Sequence, residues 1–463
     1  MPKKNRMSPG QLFKVYRQVE GITQKCLAGH GNIQTLTFNN NSIMSKGMTF
    51  ALGIEVLKYH KIIDKIIAES GLFKKKPSLK KDQGMLRIIM FEALFGEKSG
   101  DSTSIEELWK RYDKINFDLF KLGRTEYATW KSLLDKEKKK LGYTTNEGFV
   151  DPKYAKSKTH QHDNPEIELI RYVRVNTLKT TKEEVINKFS ELGYEYRPVG
   201  LDKTDDFDKN EKSIVEDNHL TNDVLALYPS NVTLHDLEMI KSYEIIAQDK
   251  SSCFPPFLIH KELGGKLGKN DCLIDACSAP GNKTCYLAAL FPSNQIYAYE
   301  RNKNRYETLK NRMVLAGASN VECKLDDFLQ TNPSDPKFKN VKAIMLDPSC
   351  SGSGIGHGNS IKKERLLSLQ QFQLKLLTHC FNFPNVQFIS YSTCSVCEEE
   401  NECVTEMGLK ASNGAFEVVH TFPEWEHRGL ESSPVGDKCV RVDPKRDKTN
   451  GFFVVCFRRV NKQ

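Results

Sequence analysis

Cys272-Leu-Ile-Asp-Ala-Cys-Ser-Ala-Pro-Gly-Asn-Lys-Thr284 is the stretch on which the fold turns. Its first four residues read as a short buried strand, and Pro280-Gly281 makes a tight turn that opens a helix. Such a turn lets a ligand approach the backbone closely and offers amide groups at a helix N-terminus. The loop is not G-x-G-x-x-G, which disfavours a nicotinamide cofactor, and it lacks the G-K-S/T ending that cradles a nucleotide triphosphate. Outward from it, short apolar runs at 272–275, 295–299, 321–324, 343–346, 387–391, 416–419 and 452–457 alternate with helical stretches from about residue 248 onward. That alternation predicts a doubly wound α/β sheet with its ligand crevice at the carboxyl ends of the strands. No clear helix joins the last two runs, so the final strand is expected to be antiparallel.

The chemistry-bearing residues fall at those strand ends. The second strand stops at Glu300, whose carboxylate can accept from both hydroxyls of a ribose. The fourth runs into Asp347-Pro-Ser-Cys350 and the fifth into Tyr391-Ser-Thr-Cys394-Ser. Neighbouring strands would bring Cys350 and Cys394 side by side with Asp347 beside them, whereas a lone cysteine is usually a small buried hydrophobe. Three chemistries compete for this set. A metal site could use Cys394, Cys397 and Cys403, but no second C-x-x-C or H-x₃₋₅-H partner stands at zinc spacing, so no metal is expected. A Cys/His hydrolase could use His357 or His379 as base, yet has no need of a nucleoside pocket. Methyl transfer from S-adenosylmethionine to C5 of a pyrimidine uses every piece. C5 is a poor nucleophile until a thiolate adds to C6, and a carboxyl such as Asp347 in its protonated form can assist at the ring N3. An amino-group methyltransferase would place an aromatic residue where Ser349-Cys350 stand.

The remainder of the chain reads differently. Before residue 141 apolar residues recur at helical spacing (Leu12, Val15, Tyr16, Val19, Ile22; Ile54, Leu57, Ile62, Ile66), with further helices expected at 85–95, 105–122 and 128–139. Lysine clusters at 74–76, 80–81 and 138–140 are solvated helix surface residue by residue, and together could track phosphates. A polar linker follows, then a compact α/β segment with strands at 172–175, 224–227 and 244–247, a helix at 182–192, and a charged exposed loop at 202–218. Lys283 is expected to reach the Asp347 carboxylate or the cofactor, Tyr391 to pack in the core, and Glu399 to Glu402 to begin a helix favourably. The 463 residues hold 68 Lys+Arg against 59 Asp+Glu, a formal charge of +9 that suits a polyanionic partner. Thirteen scattered cysteines, an odd number, fit reduced intracellular thiols. The absence of a long apolar run or an h-region speaks against a membrane span or secretion.

These motifs resemble those of the Nop/Sun family of RNA cytosine-5 methyltransferases. Tyr172-Val-Arg-Val-Asn-Thr-Leu-Lys179 resembles the start of the family's RNA-binding subdomain, Gln248-Asp-Lys-Ser-Ser-Cys-Phe-Pro-Pro256 the segment leading into its catalytic domain, and Phe452-Phe453 its closing strand. The resemblance implies a helical N-terminal domain (1–141), a linker (142–166), a small α/β RNA-binding subdomain (167–247) and a Rossmann-like S-adenosylmethionine methyltransferase domain (248–463). It further implies that Cys394 is the nucleophile, that Cys350 assists product release, and that Asp347 is catalytic. S-adenosylmethionine would be held by Cys277, Ser278, Ala279, Pro280, Gly281, Asn282, Lys283, Glu300, Arg305, Asp327 and Asp347, and RNA would meet Arg174 and Asn176. Ser349 departs from the second proline of many members. Within the family the chain resembles the branch that modifies large-subunit ribosomal RNA, which implies rRNA or a pre-ribosomal particle as partner, a monomer, and residence in the nucleus and nucleolus. The competing expectation is an RNA-binding assembly factor that kept the fold and lost the chemistry, but such a scaffold needs neither Cys350 nor Cys394.

Overall fold

In a computed structural model of the chain, the residues described are 7–38, 40, 42–96, 102–115, 117–151, 154, 169–198, 211–220, 223–229, 234, 237–355 and 361–460. The chain divides into two compact units, 1–163 and 164–463.

The first unit is helical. Its first helix, Pro9–Leu27, starts where the sequence places a capping box: the Ser8 hydroxyl accepts from Gln11 N–H while the Gln11 side chain returns to Ser8 N–H. Val15, Tyr16 and Val19 of that helix pack with Ile63 and Ile66 of Lys46–Glu69, Leu86 and Ile89 of Gln83–Leu94, and Trp130 of Asp118–Leu141. The helix expected at 105–122 is two helices, Ser102–Asp113 and the start of Asp118–Leu141. An extended Phe117 breaks it and allows Tyr112 and Phe120 to stack at 4.2 Å, a tertiary gain that apolar periodicity does not register. Part of the expected linker belongs to this unit: Asn146–Phe149 forms a 3₁₀ turn, and buried Asp151 donates its N–H to the Lys58 carbonyl at 2.7 Å.

The second unit contains two sheets. The smaller has five strands: β1 (Arg171–Val175), β2 (Glu195–Arg197), β3 (Ser213–Glu216), β4 (Val224–Tyr228) and β5 (Ile245–Ala247), in the order β2-β3-β4-β1-β5. β3 corrects the expected exposed loop at 202–218, whose first part lies outside the described residues. Ser213, Ile214 and Val215 are buried between β2 and β4, and the charged flanks hid a strand only four residues long. The larger sheet comprises β6 (Cys272–Asp275), β7 (Gln295–Tyr299), β8 (Val321–Lys324), β9 (Val341–Leu346), β10 (Phe388–Thr393), β11 (Phe416–Val418), β12 (Val440–Val442) and β13 (Phe452–Arg459). Its order is β11-β13-β10-β9-β6-β7-β8, with β12 also paired to β13. β6 to β10 are mutually parallel, and β13 runs antiparallel between β10 and β11. Leu273, Ile296, Ala298, Ala343 and Met345 face one core, Ile274, Ile344, Leu346 and Ile389 the other, as expected of strands covered on both sides. The sheet reverses direction of winding between β6 and β9, which puts the ends of those strands at the crevice. All thirteen cysteines are free thiols, and among the described residues no helix is long and apolar enough to cross a membrane.

Candidate active site

The loop after β6 is built from its own side chains. Asp275 is buried; its carboxylate accepts from the Thr284 hydroxyl at 2.7 Å and from Cys277 N–H at 3.3 Å. Burial pushes its carboxyl up to about 7, against the lowering effect of the Thr284 hydrogen bond. Ser278 is buried too, donating its hydroxyl to the Asp275 carbonyl and its N–H to the Tyr299 carbonyl, both at 2.9 Å. After cis Ala279-Pro280, Gly281 sits at φ +108° as the N-cap of the helix Asn282–Leu290. A Cβ there would also meet Leu309 and Met313 at 3.0 and 3.1 Å, so only glycine lets the turn lie this close to the neighbouring helix.

The next two strands add carboxylates. Glu300, buried just past β7, accepts from Asn302 N–H at 2.8 Å and faces Arg305 Nε at 3.4 Å; Arg305 also donates to the Ala279 carbonyl, tying this strand end to the Pro-Gly turn. Asp327, past β8, caps a 3₁₀ turn through Leu329 N–H and lies 3.8 Å from Arg301. Asn282, by contrast, is turned toward Arg312 and the Ala247 carbonyl.

The two parallel strands β9 and β10 end side by side, and their loops carry the sulfurs. Cys350 Sγ and Cys394 Sγ stand 3.0 Å apart. Asp347 lies beside them, accepting the Ser392 hydroxyl at 2.7 Å and paired with Lys283 Nζ at 3.0 Å. Lys283 meets its expectation: it also reaches the Ser252 hydroxyl at 3.2 Å and lies 5.4 Å over the Phe452 ring. Burial opposes its charge, but the Asp347 carboxylate more than offsets this, and its pKa is raised. The two thiols are driven apart. A hydrogen bond from Cys350 favours the Cys394 thiolate and lowers its pKa, helped by Lys283 and opposed by burial and Asp347. The same contact, followed by burial, holds the Cys350 thiol protonated and raises its pKa. Asp347 thus accepts from two donors, the Ser392 hydroxyl and the Lys283 ammonium.

A profile described as "16S rRNA methyltransferase RsmB/F" covers residues 266–458, and one described as "NOL1/NOP2/Sun domain family member 5, ferredoxin-like domain" covers 169–248. The mouse 28S rRNA (cytosine-C(5))-methyltransferase is 33% identical over 439 residues, 93% of this chain and 87% of that one. The chain belongs to the Nop/Sun family of RNA cytosine-5 methyltransferases. Another family member, the 25S rRNA (cytosine-C(5))-methyltransferase rcm1 of Schizosaccharomyces pombe, is 32% identical, covering 95% of this chain and 90% of its own. The crystal structure of PH0851 shares the fold, with a TM-score of 0.62 at 21% identity over 99% of this chain and 100% of that one.

Within this Nop/Sun member two expected RNA contacts are corrected. Arg174 and Asn176 are both fully buried. The Arg174 guanidinium donates to Gln248 and the Val175 carbonyl and lies 4.5 Å over the Tyr286 ring. The Asn176 amide donates to the Tyr243 and Ala316 carbonyls, both at 2.9 Å. Both tie the five-stranded sheet to the larger one; polar residues on a short strand read as surface because their buried partners lie far along the chain. His379 packs against Phe328 and Phe383 and bonds with Thr331 rather than with either sulfur, and His357 lies outside the described residues. Tyr391 is buried as expected, its hydroxyl donating to the Glu400 carbonyl at 2.6 Å. Glu402 begins the helix Glu402–Ala411 as expected and is fully buried in a 2.6 Å ion pair with Arg441, while Glu400, also fully buried, lies in the 3₁₀ turn Glu398–Glu400 before it. Ser392, Thr284 and Glu400 act at the site only through partners brought up by the fold, a role that sequence reading does not reveal.

Proposed function

We propose that this protein transfers the methyl group of S-adenosylmethionine to C5 of a cytosine in large-subunit ribosomal RNA, with Cys394 as covalent nucleophile. The observation that carries the reading is the sulfur pair at the ends of β9 and β10, 3.0 Å apart beside the Lys283–Asp347 ion pair. The substrate is assigned from the mouse, fission yeast and Caenorhabditis elegans relatives, each an rRNA (cytosine-C(5))-methyltransferase, the last 29% identical over 96% of this chain.

The residues at the crevice fit such a donor. The carboxylates of Glu300 and Asp327 at successive strand ends are acceptors for hydroxyl and amine groups. Lys283, the cation on the loop, is already paired with Asp347, which suits a nucleoside without a phosphate. The loop Cys277 to Lys283, Glu300, Arg305, Asp327 and Asp347 would hold it, and when bound it supplies an electrophilic sulfonium methyl group. The Cys394 thiolate would add to C6 of the ring and release an electron pair toward C5, making that carbon able to accept the donor's methyl group, whose former bonding pair would stay on the donor sulfur. Loss of the C5 proton to a base then expels Cys394 as thiolate and restores the ring. Cys350, at contact distance, assists this release. Asp347 orients the base, itself held by the Ser392 hydroxyl and Lys283. The target must leave any stack to reach the sulfurs. The five-stranded domain within 167–247 and the basic surface serve RNA docking, and the protein works as a monomer in the nucleolus.

Denaturing gels test this. Cys350→Ala should accumulate an RNA adduct that survives denaturation, and Cys394→Ala should form none. A catalytically silent assembly factor would yield an adduct from neither. Bisulfite sequencing of ribosomal RNA with and without the protein then fixes the site; an unchanged pattern defeats the assignment.

A further inference from the structure

The two cysteine loops come from strands separated by more than forty residues of chain, yet their sulfurs sit within hydrogen-bonding distance, and one carboxylate touches both loops. Glu400 lies on the 3₁₀ turn Glu398–Glu400 and is fully buried. Its Oε1 accepts from Ser351 N–H at 2.9 Å, and its Oε2 accepts from the Ser395 hydroxyl at 2.6 Å. Ser351 follows Cys350 and Ser395 follows Cys394. A third donor, the Gln373 amide, reaches Oε1 at 3.0 Å and also holds the Ser349 carbonyl at 3.1 Å, so the Cys350 loop is gripped on both sides of the cysteine. Ser351 and Ser395 are themselves joined, hydroxyl to hydroxyl, at 3.1 Å. The backbone of Glu400 is pinned by Tyr391 of β10, which fixes the clamp to the strand carrying Cys394.

We propose that Glu400 is a positioning residue that sets the separation of Cys350 and Cys394, and so keeps the nucleophile within hydrogen-bond reach of its partner thiol. A buried carboxylate that receives three hydrogen bonds from two loops and a helix is costly to disturb, because the donors it releases lose a buried acceptor. The assignment rests on Cys394 being the nucleophile. It goes further in naming a residue, in contact with neither RNA nor methyl donor, on which the nucleophile's character depends.

The sign of the effect separates positioning from simple electrostatics. Removing a nearby negative charge by itself makes a thiolate easier to form and lowers the pH at which Cys394 reacts. Losing the clamp does the opposite, because Cys394 gives up the Cys350 hydrogen bond, the strongest support for its charge, and is left with burial and Asp347 opposing that charge and only Lys283 and its own backbone N–H supporting it. Glu400→Gln keeps the shape: its oxygen still accepts from Ser351 and Gln373, and its amide can donate to Ser395, whose hydroxyl can turn toward Ser353 at 3.0 Å.

The experiment is alkylation of the full-length protein with iodoacetamide as a function of pH, without RNA or methyl donor, reading the Cys394 peptide by mass spectrometry. Wild type should react with a midpoint below that of an ordinary thiol. Glu400→Ala should move the midpoint up by about one pH unit, as Cys350→Ala does, with no further rise in the double variant. Glu400→Gln should retain the wild-type profile. A folded Glu400→Ala with an unmoved or lowered midpoint overturns the proposal, as does a Gln variant that shifts as far as Ala. Should Glu400→Ala fail to fold, Ser395→Ala removes one arm of the clamp and must shift the midpoint in the same direction; no shift overturns it equally. An ordinary profile in the wild type would remove the nucleophile reading along with this one, whereas a lowered wild-type midpoint that ignores Glu400 removes this one alone.

Discussion

Cys394 and Cys350 show how far identical side chains can be pulled apart by what surrounds them. One thiol donates and the other receives, and Lys283 supports the receiver. Adduct formation by Cys350→Ala should therefore rise with pH as Cys394 ionises. Lys283→Met should slow it more than tenfold near neutral pH, because the thiolate and Asp347 lose their shared cation; quenched-flow trapping of labelled RNA measures both. Asp275 gives a stability counterpart. Its folded carboxyl titrates near 7, well above its unfolded value of 3.8, so the folded state holds the proton that the unfolded chain releases. Stability is thus favoured below the unfolded value and falls as pH rises toward 7. Asp275→Asn can still accept from Cys277 N–H and donate to Thr284, whose hydroxyl can turn to the Ser278 carbonyl at 3.2 Å. Its melting temperature should lose the part of the pH dependence between those two values; an unaltered slope would show that Asp275 is not the group responsible.

At the scale of elements, the cysteine loops are locked to the last strand through glycines. Gly354 N–H donates to the Cys394 carbonyl at 2.9 Å, and Gly451 N–H donates to the Gly354 carbonyl at 3.0 Å. A Cβ on Gly354 would stand 2.1 Å from the Gly451 carbonyl oxygen, so Gly354→Ala must force the two backbones apart. It should cost about 1–3 kcal/mol in denaturant unfolding and remove most of the adduct signal. Gly354 is quoted in the Asp347–Gly354 motif, but its partner is ninety-seven residues away, and a sequence read alone does not say which glycines touch. The same limit runs through the rest of the reading. Seven of the eight strands of the large sheet were legible as short apolar runs between helical stretches, and the turn at Pro280-Gly281 and the two cysteines fall at their ends; β12, three residues long, was not. β2, β3 and the break at Phe117 were not, because three or four mixed residues carry no period and their conformation is decided by neighbours. Arg174 and Asn176 misled for the same reason: a polar side chain that finds its partners across a sheet looks, in one dimension, like one awaiting a ligand.

Across the molecule, the second unit depends on those two residues as connectors. Asn176→Ala would leave the Tyr243 and Ala316 carbonyls unpaired inside the protein. It should lower stability by about 2 kcal/mol and leave the RNA affinity of the folded protein unchanged. Weaker binding at equal foldedness would restore the contact role. The formal charge of +9 makes a second expectation of the whole chain: RNA affinity should fall linearly in log–log form with salt. A flat titration would mean that phosphates contribute little to docking.

β13 lies between β10 and β11, so the strand that carries Cys394 gains its second neighbour only from residues 452–459. During synthesis that neighbour leaves the ribosome after every other part of the large sheet. Until it does, β10 presents an open hydrogen-bonding edge, and Gly354 has no Gly451 to rest against. A message cut short before codon 452 should therefore yield an aggregating product rather than a weakened enzyme, although both cysteines would already have been translated.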